Sequence, residues 1–156
     1  MKNRTSLIVA GLLASLLIGC SKHTYTPPTS AEQLRSEFES ALKAKDANGI
    51  IGMFNWQGVS DNLKTEMRKE IAELVKHEWT AVRLTALPAD YQATNVVNGI
   101  RYRPSVTVTG WVVVDALPKG NAAKFPYGKS GDTFYLSCNV AEKISGPTTQ
   151  SKILNI

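Results

Sequence analysis

The chain reads as an α+β domain in which N-terminal helices pack on a curved antiparallel sheet, and three observations predict this. Apolar residues recur at helical spacing as far as Val75, then alternate strictly beyond Trp79. Asn98-Gly99 separates two β-rich runs as a two-residue hairpin turn, because both residues tolerate positive φ. No internal repeat divides the 156 residues, and the length suits one domain.

Each element has its own signal. Ser30 with Gln33 three residues on forms a capping-box pattern, and Leu34, Phe38, Ala41 and Leu42 give residues 31 to 45 one buried face. Asp46 caps a shorter helix with Ile50, Ile51, Met53 and Phe54 as apolar contacts, despite Gly49 and Gly52, and Gly58 marks its exit. Ser60 caps a third helix along which Leu63, Met67, Ile71, Leu74 and Val75 form a stripe, ending near residues 76 to 78.

In the strand region, Val82, Leu84 and Ala86 share one side and Arg83 and Thr85 the other. Residues 91–97 and 100–102 flank the Asn98-Gly99 turn, and Pro104 predicts a bulge or an edge position. Val106, Val108, Gly110, Val112 and Val114 alternate with Thr107, Thr109, Trp111, Val113 and Asp115 along one strand that bends at Gly110. Leu117 to Gly131, rich in Lys, Pro, Gly and aromatics, reads as a long connection. Phe134, Leu136, Cys138 and Val140 mark a further strand. A turn at Ser145-Gly146-Pro147-Thr148 leads to a last strand near residues 152–155.

The N-terminus carries a different kind of signal. Lys2 and Arg4 precede an apolar run from Leu7 to Ile18, which is a secretory layout and is shorter than the roughly 20 residues a membrane span requires. The run closes on Leu17-Ile18-Gly19-Cys20, which resembles the bacterial lipoprotein cleavage box. That resemblance implies that residues 1–19 are a signal peptide and that Cys20 begins the mature chain. Cys20 would then carry a thioether-linked diacylglycerol and an amide-linked acyl chain such as palmitate. Two or more chains anchor stably where one binds only marginally. Ser21, in place of Asp, implies the outer membrane facing the periplasm in a host with two membranes. Residues 20–30, with Pro27-Pro28, then form the lipidated N-terminus and tether, and residues 31–156 the single domain. A plain secreted chain is the competing reading.

Without residues 1–19 the basic surplus is sixteen against thirteen, which does not support nucleic-acid binding. Residues 30–79 hold seven basic and nine acidic side chains, residues 80–156 eight and four, so the strand half is the positive one. Cys20 and Cys138 are the two cysteines. With Cys20 acylated no internal disulfide is possible, and Cys138 shares parity with Phe134, Leu136 and Val140 as a buried apolar thiol.

The order of elements over residues 31–156, with Phe38-Glu39-Ser40-Ala41-Leu42-Lys43-Ala44-Lys45-Asp46-Ala47 as first helix and turn, resembles the NTF2-like cone-shaped fold. A cystatin-like helix-on-sheet arrangement is the alternative. The NTF2-like resemblance implies a cavity between sheet and helices, which members use for small apolar ligands, for acid–base catalysis, or for neither. His77 is the one His of the domain and lies at a helix end, where an imidazolium complements the helix dipole. Asp90 and Asp115 are the acids that a catalytic cone would turn inward.

One His and one distant Cys do not make a zinc site. Gly128-Lys129-Ser130 lacks the earlier glycine and the strand-to-helix context of a phosphate-binding loop, so no metal, nucleotide or other cofactor is expected. Trp56, Trp79 and Trp111 read as core or cavity wall. The resulting expectation is a membrane-anchored envelope lipoprotein that binds a small ligand or protein partner and has no catalytic residues. The alternative is an isomerase-like or hydratase-like enzyme using His77 or an inward acid.

Overall fold

The computed structural model describes residues 26–116 and 122–142. The signal segment, Cys20, the 145–148 turn and the last strand near 152–155 lie outside the described residues. Three helices, α1 (Ala31–Lys43), α2 (Ala47–Gly52) and α3 (Asp61–Leu74), precede seven strands. The strands are β1 (Trp79–Ala86), β2 (Asn95–Val97), β3 (Ile100–Pro104), β4 (Thr107–Ala116), β5 (Ala122–Ser130), β6 (Thr133–Leu136) and β7 (Asn139–Glu142). The helices pack on a curled antiparallel sheet, the α+β arrangement that the change of period predicts.

Capping fixes where α1 begins and how it turns into α2. Ser30 Oγ accepts from Gln33 N at 3.1 Å, and Gln33 Oε1 accepts from the backbone N of Thr29 at 3.0 Å, one residue before the usual capping-box donor. At the far end Asp46 N donates to Ala41 O and Lys45 N to Leu42 O, a Schellman closure with Lys45 at φ 53. Asp46 then caps α2 by accepting from Gly49 N at 2.9 Å. A Cβ on Gly49 would lie 2.6 Å from the Asp46 carboxylate, so the glycine that looks unfavourable in a helix makes room for the cap.

The strands form two ladders, β1-β4-β5-β6 and β2-β3-β7. The chain passes between them three times, along residues 87–94 and at two short breaks, Ser105-Val106 and Ser137-Cys138. These two breaks meet. Ser105 N donates to Cys138 O at 2.8 Å and Cys138 N donates to Ser105 Oγ at 3.1 Å, so one corner joins both ladders, as in sheets whose strands change layer at a bend. Asn98 and Gly99, at φ 51 and 75, make the predicted hairpin between β2 and β3. The β4–β5 register shifts between Val108 and Gly110, the bend expected at the glycine.

Two expectations are corrected. The single strand read through Phe134, Leu136, Cys138 and Val140 is broken at Ser137-Cys138 into β6 and β7, which belong to different ladders. Residues 122–130 are not part of a long connection but strand β5, paired with both β4 and β6. Pro126 fits because its carbonyl accepts from Ser137 N at 2.7 Å, on the side where β6 leaves the ladder. A residue's N and C=O face the same way in a strand, so the missing N–H faces that gap and costs the β4 ladder nothing. Gly128 is required because a Cβ there would run into the Thr107 carbonyl.

The free edge of β6 is covered by loop backbone. Leu136 N donates to Met53 O, Asn55 N to Leu136 O, and Phe134 N to Pro28 O at 2.8 Å. Pro28 itself is fully buried. The core runs from Leu34, Phe38 and Leu42 of α1 through Ile50, Phe54 and Ile71 to Val112, Val114, Leu136 and Val140 of the sheet.

Candidate functional site

Aromatic rings pack between the helices and β5. Phe38 packs on Phe125 at 5.5 Å between centroids, Phe54 meets Phe125 edge-on at 6.2 Å, and Phe54 stacks on Trp56 at 5.2 Å. The open space lies to one side of this stack.

A groove of about 520 Å³ runs between the C-terminal half of α3 and the start of β5, within the range of small-ligand pockets. Its floor is Ile71, Leu74, Ala123 and Phe125, and Glu70, Glu73, His77 and Lys124 stand around it. The groove follows from how α3 packs. Ile71 is buried, but Leu63, Met67 and Leu74 are only half covered, so the apolar stripe continues past the edge of the sheet. Phe125, which also packs on Phe38 and Phe54, lines the groove opposite α3. The rim is charged: Lys76 bonds to Glu73 at 2.6 Å and holds that carboxyl below its ordinary range.

His77 is exposed on this rim, and its backbone N closes the helix end on Leu74 O at 3.2 Å. The acids proposed to act with it are elsewhere. Asp115 has the opposite parity to Val112 and Val114, so it lies on the outer sheet face, where it forms a two-point pair with Arg83 at 2.8 and 3.1 Å. Asp90 is exposed in the turn closed by Tyr91 N on Pro88 O. His77 and Asp115 therefore do not line one pocket, which removes the geometric basis for acid–base work between them.

Arg83 holds the Asp115 carboxyl below its ordinary value, chiefly by hydrogen bonding. A depressed folded-state pKa makes the pair's contribution fully present above the unfolded carboxylate value and lost as pH falls through the folded value. Between neutral pH and about pH 3, Asp115→Asn should thus show a smaller drop in urea midpoint than wild type, and the effect should be modest because the pair is half exposed. Equal drops in the two proteins would mean that the pair contributes nothing.

Cys138 is 5 % exposed, and burial pushes its thiol up to about 12. Native protein should leave this thiol unmodified by a thiol reagent at pH 8 and expose it only on global unfolding, at a rate that follows the urea curve. Prompt labelling without denaturant would contradict the packing. Trp56 and Trp79 border the core, whereas Trp111 is on the outer face against Tyr91, edge-on at 5.7 Å. A second, more polar groove of about 530 Å³ lies by the corner between the ladders, lined by Tyr91, Arg103, Thr107, Lys129 and Ser130 among others.

The wall residues Ala123 and Phe125 are absent from the sequence-based candidates because their segment reads as a connection. Alternation of Ala123, Phe125 and Tyr127 is the signal that would have found them. No protein-family model and no curated protein matches the chain. Among solved structures it is similar to a variant of the NTF2-like design Rd1NTF2_05, at 13% identity and a TM-score of 0.35, over 72% of this chain and 96% of that one. No helix among the described residues is long and apolar enough to cross a membrane.

Proposed function

We propose that the chain is an envelope lipoprotein, anchored through Cys20, whose NTF2-like domain holds a small apolar ligand in the groove between α3 and β5. The groove carries this reading: an apolar floor of Ile71, Leu74, Ala123 and Phe125 under a charged rim is the lining expected for orienting an amphipathic small molecule. The separation of His77 from Asp115 favours binding over catalysis. The Leu17-Ile18-Gly19-Cys20 box and the short segment from Cys20 to Ser30 support the anchor.

Two measurements test the two halves of this proposal. The apolar fluorophore N-phenyl-1-naphthylamine should brighten on adding protein, and Leu74→Glu should weaken its binding by about tenfold or more, because a carboxylate on the floor must desolvate. Absent brightening, or equal binding by a folded L74E variant, would overturn the ligand reading. Cys20→Ala should move the protein from the membrane to the soluble fraction. Unchanged membrane partition would overturn the anchor.

A further inference from the structure

The β2–β3 hairpin carries apolar side chains that the fold leaves uncovered. Val96 is 59%, Val97 49% and Ile100 43% exposed, the large hydrophobic residues most open to solvent among those described. Val97 pairs across the turn with Ile100, which makes one face of the tip apolar, and Val96 pairs with Arg101, which sets a cation beside an apolar side chain on the other. Apolar side chains gathered at a turn, where a solvated hairpin would carry polar residues, mark a contact site.

Charge selects the medium. From residue 91 to residue 114 the chain has Arg101 and Arg103 and no acid. Glu142 of β7 is the cross-strand partner of Arg101 but takes Arg103 at 2.8 Å, so two arginines share one acid and Arg101, the cation nearest the tip, has no ion pair among the described residues. The chain's own residues 143–156 contain Lys143 and Lys152 and no acid, so they offer Arg101 no counter-charge. A second copy would set Arg101 against the same charges. An anionic lipid surface complements both the apolar tip and its cationic shoulder.

Such a surface is within reach. Pro28 is buried and accepts from Phe134 N, so eight residues at most separate Cys20 from the folded body. Fully extended, they span roughly 30 Å.

We infer that the tip of the β2–β3 hairpin enters the headgroup region of an anionic bilayer, making a second contact beside the acyl anchor. This rests on the anchor reading, and the test separates the two. In the lipidated full chain Val97→Cys, or Ile100→Cys as a second site, takes a thiol-reactive environment-sensitive dye. Cys20 is then acylated and Cys138 is buried, so neither competes for the dye. With phosphatidylethanolamine–phosphatidylglycerol vesicles the emission should shift to the blue and be quenched by brominated lipid, and Arg101→Gln should reduce the shift. A label at Asp132→Cys, in the β5–β6 turn, should not respond.

A chain that floats with vesicles while both tip labels stay in water overturns the hairpin and leaves the anchor intact. A tip label already shifted to the blue without vesicles overturns it too, since residues 143–156 or a second copy would then cover the site. Repeating the measurement in Cys20→Ala decides the anchor: lost flotation supports it, and unchanged flotation with an inserted tip keeps the hairpin and removes the anchor.

Discussion

Phe38→Ala is expected to cost about 3–5 kcal/mol of stability, the range for deleting a buried aromatic ring, and to lower the melting temperature by on the order of 15–30 °C. Phe38 is fully buried at the centre of the α1 face and bears on Phe125, which in turn meets Phe54. Its ring therefore links α1 to β5 of the sheet. The surroundings resist collapse, because the Schellman turn fixes the end of α1 and β5 is paired with β4 at Phe125 and with β6 from Tyr127 on. Urea unfolding should show a lower midpoint with an unchanged slope. A cost below about 1 kcal/mol would mean that the interior is loosely filled and that a cavity exists where the rings are described. The same variant should also weaken N-phenyl-1-naphthylamine binding, since Phe125 loses the neighbour that orients it as a groove wall.

Gly128→Ala is the second large effect, expected to destabilise by about 3 kcal/mol or more although it adds a single methyl group. The added Cβ would collide with the Thr107 carbonyl and carbon and press on Val108 Cα, all backbone atoms of the neighbouring strand. Nothing flexible can move aside, so the β4–β5 ladder must separate next to its bulge. Gly52→Ala is the matched control, since nothing lies within 4 Å of a Cβ there and the helix gains from the change. Denaturation midpoints of the two variants should move in opposite directions. Similar midpoints would show that β5 does not approach β4 as closely as described.

These two positions also show what was legible in the sequence. Phe38 is found by spacing alone, because Leu34, Phe38, Ala41 and Leu42 leave one face for the core. All four are buried. Gly128 and Pro126 lie in a strand, yet they belong to the vocabulary of turns. The physical reason is that strand propensity describes an average pleated surface, whereas Gly128 answers to one carbonyl and Pro126 to one gap in the ladder. Both demands come from partners far along the chain, Thr107 and Ser137, which no local window contains. The groove escaped for the same reason, as its two walls come from α3 and from that misread segment. His77 is visible as the lone His of the domain and alternation along β4 already sets Asp115 opposite Val112 and Val114, but only the packing of α3 on β5 shows that His77 stands elsewhere.

The hydrogen bond from Phe134 N to Pro28 O has a mechanical meaning. Tension applied at residue 26 would reach the fold first at Pro28, which is seated on the edge strand β6. One backbone hydrogen bond and one buried ring stand at that loading point, and α1 follows directly behind them. The β4–β5 ladder lies farther along the force path. A pull on the N-terminus would thus peel residues 26–28 off β6 before it strains the packing of α3 on β5.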